Sequence, residues 1–272
     1  GYITTEEADT AAQTPLEYKL ETGIKAPHFV MYVKEKLVEK YGESLVERGG
    51  LKVTTTLDLT LQEYAESTVS SEVTKLARMR VGNGAVLVTR PATGEILAMV
   101  GSTDYFATPS GSYNVTTADR QPGSSIKPIN YAIGIENKIV TPGTTFLDVP
   151  TCFDSPVGQP KYCPRNYTGR FSGPVQLRFA LGNSLNIPAV KMLALNTVQT
   201  MIASASAFGL DTLKDSTNYG LSLTLGGGEV TMVDMAEGFS VFANAGVRKD
   251  LVSILKVVDK NGGLLEEFKD PN

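Results

Sequence analysis

The sequence contains a single histidine, His28, and this scarcity limits the kinds of catalytic site that the chain can hold. A Ser-His-Asp site needs a histidine to take the proton of the attacking serine. His28 stands in a polar amino-terminal segment, distant in sequence from the candidate residues described below. We therefore expect no such triad, and any activated serine in this chain requires another base.

Long apolar runs and an excess of positive charge are missing as well. No run approaches the roughly 20 apolar residues that a membrane-spanning helix needs, and no basic-then-apolar leader opens the chain. The net charge is −4, without basic residues clustered among aromatic ones, which argues against a nucleic-acid partner. With 272 residues, of which 42% are hydrophobic, the chain suits one large globular domain, or one domain and a tail.

Cysteine is scarce too, since the chain has only Cys152 and Cys163, which flank a loop rich in Pro, Gly and Asp. A disulfide could close this loop if the two segments meet, and an oxidised pair would fit an extracytoplasmic protein. Two free thiols are the alternative. Two cysteines without a nearby histidine make a poor zinc site. Asn166-Tyr167-Thr168 matches a glycosylation sequon, but we expect it to serve the architecture of the loop.

The segment 120–128, Arg-Gln-Pro-Gly-Ser-Ser-Ile-Lys-Pro, combines a turn, a helix start and a reactive pair of side chains. Its Pro-Gly predicts a turn, Ser124 or Ser125 suits a helix N-cap, and the apolar run behind predicts the helix. Lys127 follows Ser124 by one turn, so its amine can reach the Ser124 hydroxyl. A helix N-terminus and a dry setting would lower the pKa of Lys127, and a neutral lysine could take the serine proton.

A second candidate pair lies where two helical patterns, 175–184 and 187–195, meet. Ser184 and Asn186 stand on this elbow between the helices. The hydroxyl could pass a proton, and the amide could hold a substrate carbonyl or an amine. The alternative is an ordinary pair of helix-capping residues.

The remaining patterns predict a mixed α/β chain. A helix and a short second piece are expected over 27–48 with a break at Gly42, followed by a strand at 51–57 and a helix capped by Asp58. Two hairpins are expected at 84–100 and at 252–268. Further helices are predicted at 200–210 and 232–245, and the glycines 226–228 lack the spacing of a phosphate-binding loop, so we expect a close-packed turn.

Three segments together resemble the transpeptidase domain of a class A penicillin-binding protein, the bifunctional enzymes that polymerise and cross-link peptidoglycan. They are 120–128, 180–190 with Ser184-Leu185-Asn186, and Gly227-Gly228-Glu229-Val230-Thr231. The resemblance covers almost the whole chain. It implies an α/β (α+β) serine transpeptidase/β-lactamase-like fold, an antiparallel sheet flanked by helices. It also implies that 1–48 is the tail of a glycosyltransferase module with a linker, and 49–272 the amino-terminal part of the transpeptidase domain.

The resemblance further implies roles for four residues. Ser124 is expected to attack the carbonyl between the two terminal D-alanines of a peptidoglycan stem peptide, with Lys127 as the base. Ser184 would relay the proton to the leaving amine, and Asn186 would hold the substrate and Lys127. A β-lactam would acylate the same serine, and no metal or cofactor is implied.

One element of the family pattern, Lys-Thr/Ser-Gly on an inner strand, does not occur before the sequence ends. Lys260-Asn261-Gly262 lacks the hydroxyl and stands in a predicted hairpin turn. We therefore expect the fold to be incomplete in this chain, with the remainder of the same protein supplying the missing strands alongside. The resemblance implies the extracytoplasmic face of the bacterial membrane, with the anchor upstream of this chain.

Two other functions are compatible with the same residues. A non-catalytic peptidoglycan-binding or scaffold module would explain the missing third motif. A serine D,D-carboxypeptidase or β-lactamase would use the same nucleophile, although the amino-terminal helices and the class A context argue against it.

Overall fold

The computed structural model describes residues 4–6, 10, 23–155 and 158–270. Its helices are α1 (Pro27–Tyr41), α2 (Glu43–Arg48), α3 (Leu59–Lys75), α4 (Lys127–Glu136), α5 (Leu177–Gly182), α6 (Asn186–Asn196), α7 (Val198–Ala207) and α8 (Met232–Ala243). Its strands are β1 (Lys52–Thr55), β2 (Val86–Arg90), β3 (Glu95–Val100), β4 (Thr145–Asp148), β5 (Gly173–Gln176), β6 (Ile254–Val258) and β7 (Leu264–Glu267). Short 3-10 turns lie at Ala77–Met79, Gly123–Ile126, Ser216–Asn218 and Leu221–Leu225.

In the described part of the chain, the named strands pair antiparallel and form small sheets rather than one continuous sheet. The described strands form a three-stranded sheet of order β1-β6-β7 and the two-stranded sheets β2-β3 and β4-β5. The start of β3 also meets the segment before β6, where Ile96 N donates to Val252 O at 2.8 Å. The expected α/β class with antiparallel strands flanked by helices is confirmed.

Local signals placed most elements correctly. The first helix breaks at Gly42, whose φ of 80° suits a residue without a Cβ. The Asp58 carboxylate caps α3 by accepting from Leu61 N at 3.0 Å. Both hairpins form where they were predicted. The helix predicted from residue 175 is wrong at its start, because 173–176 pairs with β4 as a strand and α5 begins only at Leu177.

Of the four apolar clusters among the described residues, two are central to the position of the helices. One surrounds α4, where Ile126, Ile129 and Ile133 pack with residues of α6 and α7 such as Leu193 and Met201. The other joins α1 to the hairpins through Phe29, Val33 and Leu37 against Ile96, Met99 and Val257. Helix α4 therefore stands on a rigid, fully buried base, and its first turn is held in place.

The single histidine belongs to this packing. His28 is buried near the start of α1, and its Nε2 lies 3.0 Å from the carbonyl oxygen of Gly111. Burial lowers the pKa of His28, which favours the neutral ring. Within the described ranges, no helix combines the length and apolarity that crossing a membrane requires.

The two cysteines form a disulfide, with their Cα atoms 4.2 Å apart. The bond closes the loop between β4 and β5, and Phe153 and Tyr162 inside it pair through backbone hydrogen bonds of 2.8 and 2.9 Å. The disulfide therefore closes residues 152–163 within this connection, and the alternative of two free thiols is wrong.

The glycines 226–228 form the close-packed turn that was expected. Gly226 has a φ of +87°, and a Cβ added there would overlap the backbone N and Cα of Gly123. Two backbone hydrogen bonds of 2.9 Å between Arg120 and Val230 hold the same two segments together. The turn that precedes α4 thus rests directly on the glycine segment.

We predict that reducing the disulfide lowers the free energy of unfolding by about 2–4 kcal/mol, because reduction releases the closed loop in the unfolded chain. Urea unfolding with and without dithiothreitol measures the difference. The double variant Cys152→Ser/Cys163→Ser is the control, since its unfolding midpoint must not respond to the reductant. Equal midpoints for the oxidised and reduced protein would contradict the prediction.

A second prediction concerns Gly226. Gly226→Ala is expected to cost about 1–3 kcal/mol more than Gly262→Ala, because both sites have similar positive φ but only a Cβ at 226 meets backbone. Gly262, with a φ of +85° and open space around it, isolates the cost of the dihedral angle alone. Urea unfolding of both variants gives the comparison, and equal losses would show that the close approach carries no energy.

Candidate active site

Ser124 lies on the protein surface in the 3-10 turn Gly123–Ile126, directly before α4. The prediction that Ser124 or Ser125 caps the helix is wrong. The 3-10 turn continues into α4, so Lys127 N already donates to Ser124 O within the turn, and neither element has a side-chain cap. Ser125 Oγ instead donates to Pro122 O at 2.6 Å. The Ser124 hydroxyl therefore lies just before the N-terminus of α4 and does not cap the helix.

Lys127 is the most unusual side chain of the site. A lysine with an ordinary pKa is charged at neutral pH, and yet Lys127 is only 1% exposed. Its Nζ donates to Ser184 O at 2.7 Å, to Ser184 Oγ at 3.1 Å and to Asn186 Oδ1 at 2.7 Å. An ammonium group has three N–H donors, so each finds one acceptor. The structure thus brings together three of the four predicted residues, across 57 and 59 positions of sequence.

Burial lowers the pKa of Lys127 to about 8. All three acceptors are uncharged, so they satisfy the N–H groups without supplying a negative charge to offset the loss of water. About a tenth of the lysine is then neutral at pH 7, compared with a negligible fraction at an ordinary lysine pKa. The expected direction of the shift is confirmed, and its cause is burial.

Ser184 adopts a left-handed backbone conformation, with a φ of +52°. This conformation is uncommon for a residue with a Cβ, and it ends α5 through the bonds Ser184 N to Leu181 O and Leu185 N to Ala180 O, both 2.9 Å. It leaves the carbonyl and the hydroxyl of Ser184 both in contact with Lys127 Nζ. The side chains of Ser184 and Asn186 contact Lys127 Nζ and Arg165 O, and no bond from them to the free N–H groups of α6 appears among the described residues. The alternative of an ordinary capping pair is therefore wrong.

Ser124 and Lys127 are one helical turn apart, but no hydrogen bond between their side chains appears among those of the described residues. The three donors of the ammonium group point at the elbow 184–186 instead. Loss of one proton would free a lone pair on Nζ, which is what a base needs to accept the Ser124 proton. At pH 7 the protonated form therefore predominates, and only the neutral form offers a free lone pair on Nζ.

Asn186 is held from its other side by residues that sequence reasoning did not place in the site. Asn186 Nδ2 donates to Arg165 O, and Asn186 N donates to Asn166 Oδ1, both at 2.7 Å. The only sequence signal was the turn pattern after Asn166, which was interpreted as loop architecture. Asn166 is buried, and its amide nitrogen is engaged with protein acceptors, so the sequon is not available for glycosylation in the folded chain.

The arrangement has the parts of a covalent catalyst without a histidine. An exposed hydroxyl lies one turn from a lysine that burial has moved toward neutrality. A second hydroxyl, on Ser184, touches the same amine. Such a set can activate a nucleophile and return its proton to a leaving group.

Comparison with known proteins agrees with this geometry. The family model for the penicillin binding protein transpeptidase domain matches residues 84–271. Penicillin-binding protein 2D of Bacillus subtilis (strain 168) is 32% identical over 277 residues, covering 99% of this chain and 38% of the relative. Penicillin-binding protein 1A of Aquifex aeolicus (strain VF5) is 27% identical over 349 residues, covering 98% of this chain and 47% of the relative. The chain thus spans less than half of the length of these two relatives.

Solved structures show the same fold. Penicillin-binding protein 1A from Haemophilus influenzae superposes with a TM-score of 0.80 at 22% identity, covering 98% of this chain and 53% of that chain. The PonA1 protein from Mycobacterium tuberculosis in complex with penicillin V gives a TM-score of 0.73 at 21% identity, covering 89% of this chain and 65% of that chain. Since the family model matches well over half of the chain and the relatives align with nearly all of it, the chain belongs to the penicillin-binding protein transpeptidase family.

Proposed function

We propose that this chain carries the acylation site of a D,D-transpeptidase that cross-links peptidoglycan stem peptides ending in D-Ala-D-Ala. The observation that carries the proposal is the buried Lys127, with its pKa lowered to about 8, held by Ser184 and Asn186 one turn from an exposed Ser124. Membership of the penicillin-binding transpeptidase family supports the reaction class.

The proposed acylation begins with neutral Lys127. Its Nζ takes the proton of Ser124 while Ser124 Oγ bonds to the carbonyl carbon between the two D-alanines. Ser184 Oγ, 3.1 Å from Nζ, then gives its proton to the nitrogen of the departing D-alanine and recovers one from Lys127. The terminal D-alanine leaves, Lys127 is neutral again, and the peptide remains as an ester on Ser124.

The second half-reaction restores the enzyme. An amine from a neighbouring stem peptide attacks the ester carbonyl, a new peptide bond forms and Ser124 recovers its proton. Penicillins would enter at the first step, since ring opening by Ser124 leaves a similar ester. A bound penicillin V in the solved PonA1 protein supports a β-lactam as a probe for this chain.

The context of the reaction is also a proposal. We infer that 49–272 is the amino-terminal part of the transpeptidase domain and that 1–48 links it to a glycosyltransferase module of a bifunctional synthase. The disulfide supports a place on the extracytoplasmic side of the membrane, where such bonds persist. Strands from the remainder of the same protein would complete the cleft and its oxyanion hole.

We predict that the protein is labelled covalently by a fluorescent penicillin and that Ser124→Ala abolishes the label, because the attacking oxygen is removed. Ser125→Ala is the matched control, since it removes the neighbouring exposed hydroxyl, which only bonds Pro122 O. Gel fluorescence and peptide mass spectrometry report the label and its position. Labelling of Ser124→Ala, or no labelling of the wild-type protein with its complete transpeptidase domain, would overturn the proposed function. Rapid loss of the label from the wild type would favour a hydrolase.

The lowered pKa of Lys127 predicts the pH dependence of acylation. The reactive form is the neutral amine, so the acylation rate constant should rise with pH and level off above about 8. Stopped-flow measurements with the same penicillin between pH 6 and pH 9 test this. Lys127→Arg should show no such rise and a rate at least about a hundredfold lower, because a guanidinium stays protonated. A pH-independent wild-type rate would rule out Lys127 as the base.

A further inference from the structure

A hydrogen-bonded pair outside the four proposed residues holds Asn186 in place. Asp148 is the last residue of β4, and Asn166 lies three positions after Cys163 in the connection to β5. Both are buried, with exposed fractions of 0% for Asp148 and 6% for Asn166. Asn166 Nδ2 donates to Asp148 Oδ1 and Oδ2, each at 2.9 Å, and to Arg170 O at 2.9 Å. Asn166 Oδ1 accepts from Asn186 N at 2.7 Å. Every polar atom of the Asn166 side chain is therefore in use.

The Asp148 carboxylate makes this arrangement costly to disturb. It is fully buried, and its donors are neutral groups, Asn166 Nδ2 and Ser172 N at 2.7 Å. A buried carboxylate without sufficient hydrogen-bond donors is strongly unfavourable. Moving Asn166 away from Asp148 would therefore cost free energy, because Asn166 Nδ2 donates to both carboxylate oxygens. Asp148 in turn is fixed by its backbone at the end of the β4-β5 ladder, where it pairs with Gly173. Asn166 is thus anchored to a strand and not to a free loop.

Asn166 and the adjacent Arg165 determine both the position and the orientation of the Asn186 amide. Asn166 Oδ1 satisfies one of the free N–H groups at the start of α6, which fixes the backbone of Asn186. Arg165 O accepts from Asn186 Nδ2 at 2.7 Å, so the amide oxygen must face the opposite way, toward Lys127 Nζ. A carbonyl only accepts and the protonated Lys127 ammonium group only donates, so in this state the amide cannot flip without losing both bonds.

We propose that Asn166, clamped by the buried Asp148 carboxylate, is a positioning residue that holds Asn186 so that its amide oxygen stays on Lys127 Nζ. The proposal rests on the function proposed above and extends the site to residues that do not touch the substrate. Asn166 and Asp148 act through Asn186. Their loss is expected to reduce the rate of acylation in protein that is still folded.

The first experiment compares two buried amides with the same bonding pattern. Gln62 accepts from Met99 N at 2.7 Å and donates to the Glu66 carboxylate at 2.7 Å and to Met99 O at 3.1 Å, but it joins α3 to β3. Asn166→Ala and Gln62→Ala should both lower the unfolding midpoint. Asn166→Ala alone should slow acylation by the fluorescent penicillin, by about tenfold to a hundredfold per folded molecule, because the base is misplaced. Equal acylation by both variants would overturn the proposal.

The second experiment exchanges the donor and acceptor of the pair. Asn166→Asp sets carboxylate oxygens against those of Asp148, and Asp148→Asn sets an amide nitrogen among donors. The double variant Asp148→Asn/Asn166→Asp restores one donor–acceptor contact with the same total charge. We expect it to acylate faster than either single variant, because coupled partners show non-additive losses. A double variant slower than both singles would contradict the coupling.

A third readout does not depend on the proposed chemistry. The ¹³Cε resonance of Lys127, assigned from its absence in Lys127→Arg, reports the titration of the amine by NMR. Its midpoint should move by about half a pH unit or more in Asn166→Ala and stay in place in Gln62→Ala, since only the first variant releases an acceptor of the amine. A wild-type protein that does not react with the fluorescent penicillin would refute the proposed function. An unchanged Lys127 midpoint in Asn166→Ala would refute the positioning role by itself.

Discussion

The burial of the Lys127 ammonium group is the constraint on which the rest of this structure depends. A charge removed from water is unfavourable by several kcal/mol unless other groups replace its hydration. Ser184 and Asn186 replace it with two oxygens from side chains and one from the backbone, all uncharged. All three N–H groups of the ammonium are hydrogen-bonded, but no negative charge offsets the loss of water. The amine is therefore fixed in position, while its pKa is lowered.

Three parts of the fold hold the Lys127 amine and its three hydrogen-bond acceptors in position. Helix α4 presents Lys127 from a buried apolar base, and the left-handed turn at Ser184 supplies two of its acceptors. The third acceptor, Asn186, is oriented by Arg165 and Asn166, which follow Cys163 in the connection between β4 and β5. The connection between β4 and β5, whose two bonded cysteines are 11 positions apart, thus contributes to the geometry of a site that its own sequence does not indicate.

Prediction from sequence succeeded where the cause is local and failed where it is not. The cap at Asp58, the break at Gly42 and both hairpins follow from the preferences of a few adjacent residues. The same reasoning placed an N-cap on Ser124 or Ser125, because it could not foresee that a 3-10 turn runs without interruption into α4. It also extended a helix back to residue 175, where pairing with β4 overrides helix preference.

The sequence by itself determined the family and the identity of the residues proposed to react, since their types and spacing are recognisable without coordinates. Its single histidine, far in sequence from the candidate residues, also led us to expect another kind of base. Only the tertiary structure decided which groups surround Lys127, that its amine is dry enough to lose a proton near neutral pH, and that Asp148 and Asn166 brace the elbow. The physical reason is that burial and hydrogen bonding depend on contacts between segments far apart in the chain, which spacing in sequence does not encode.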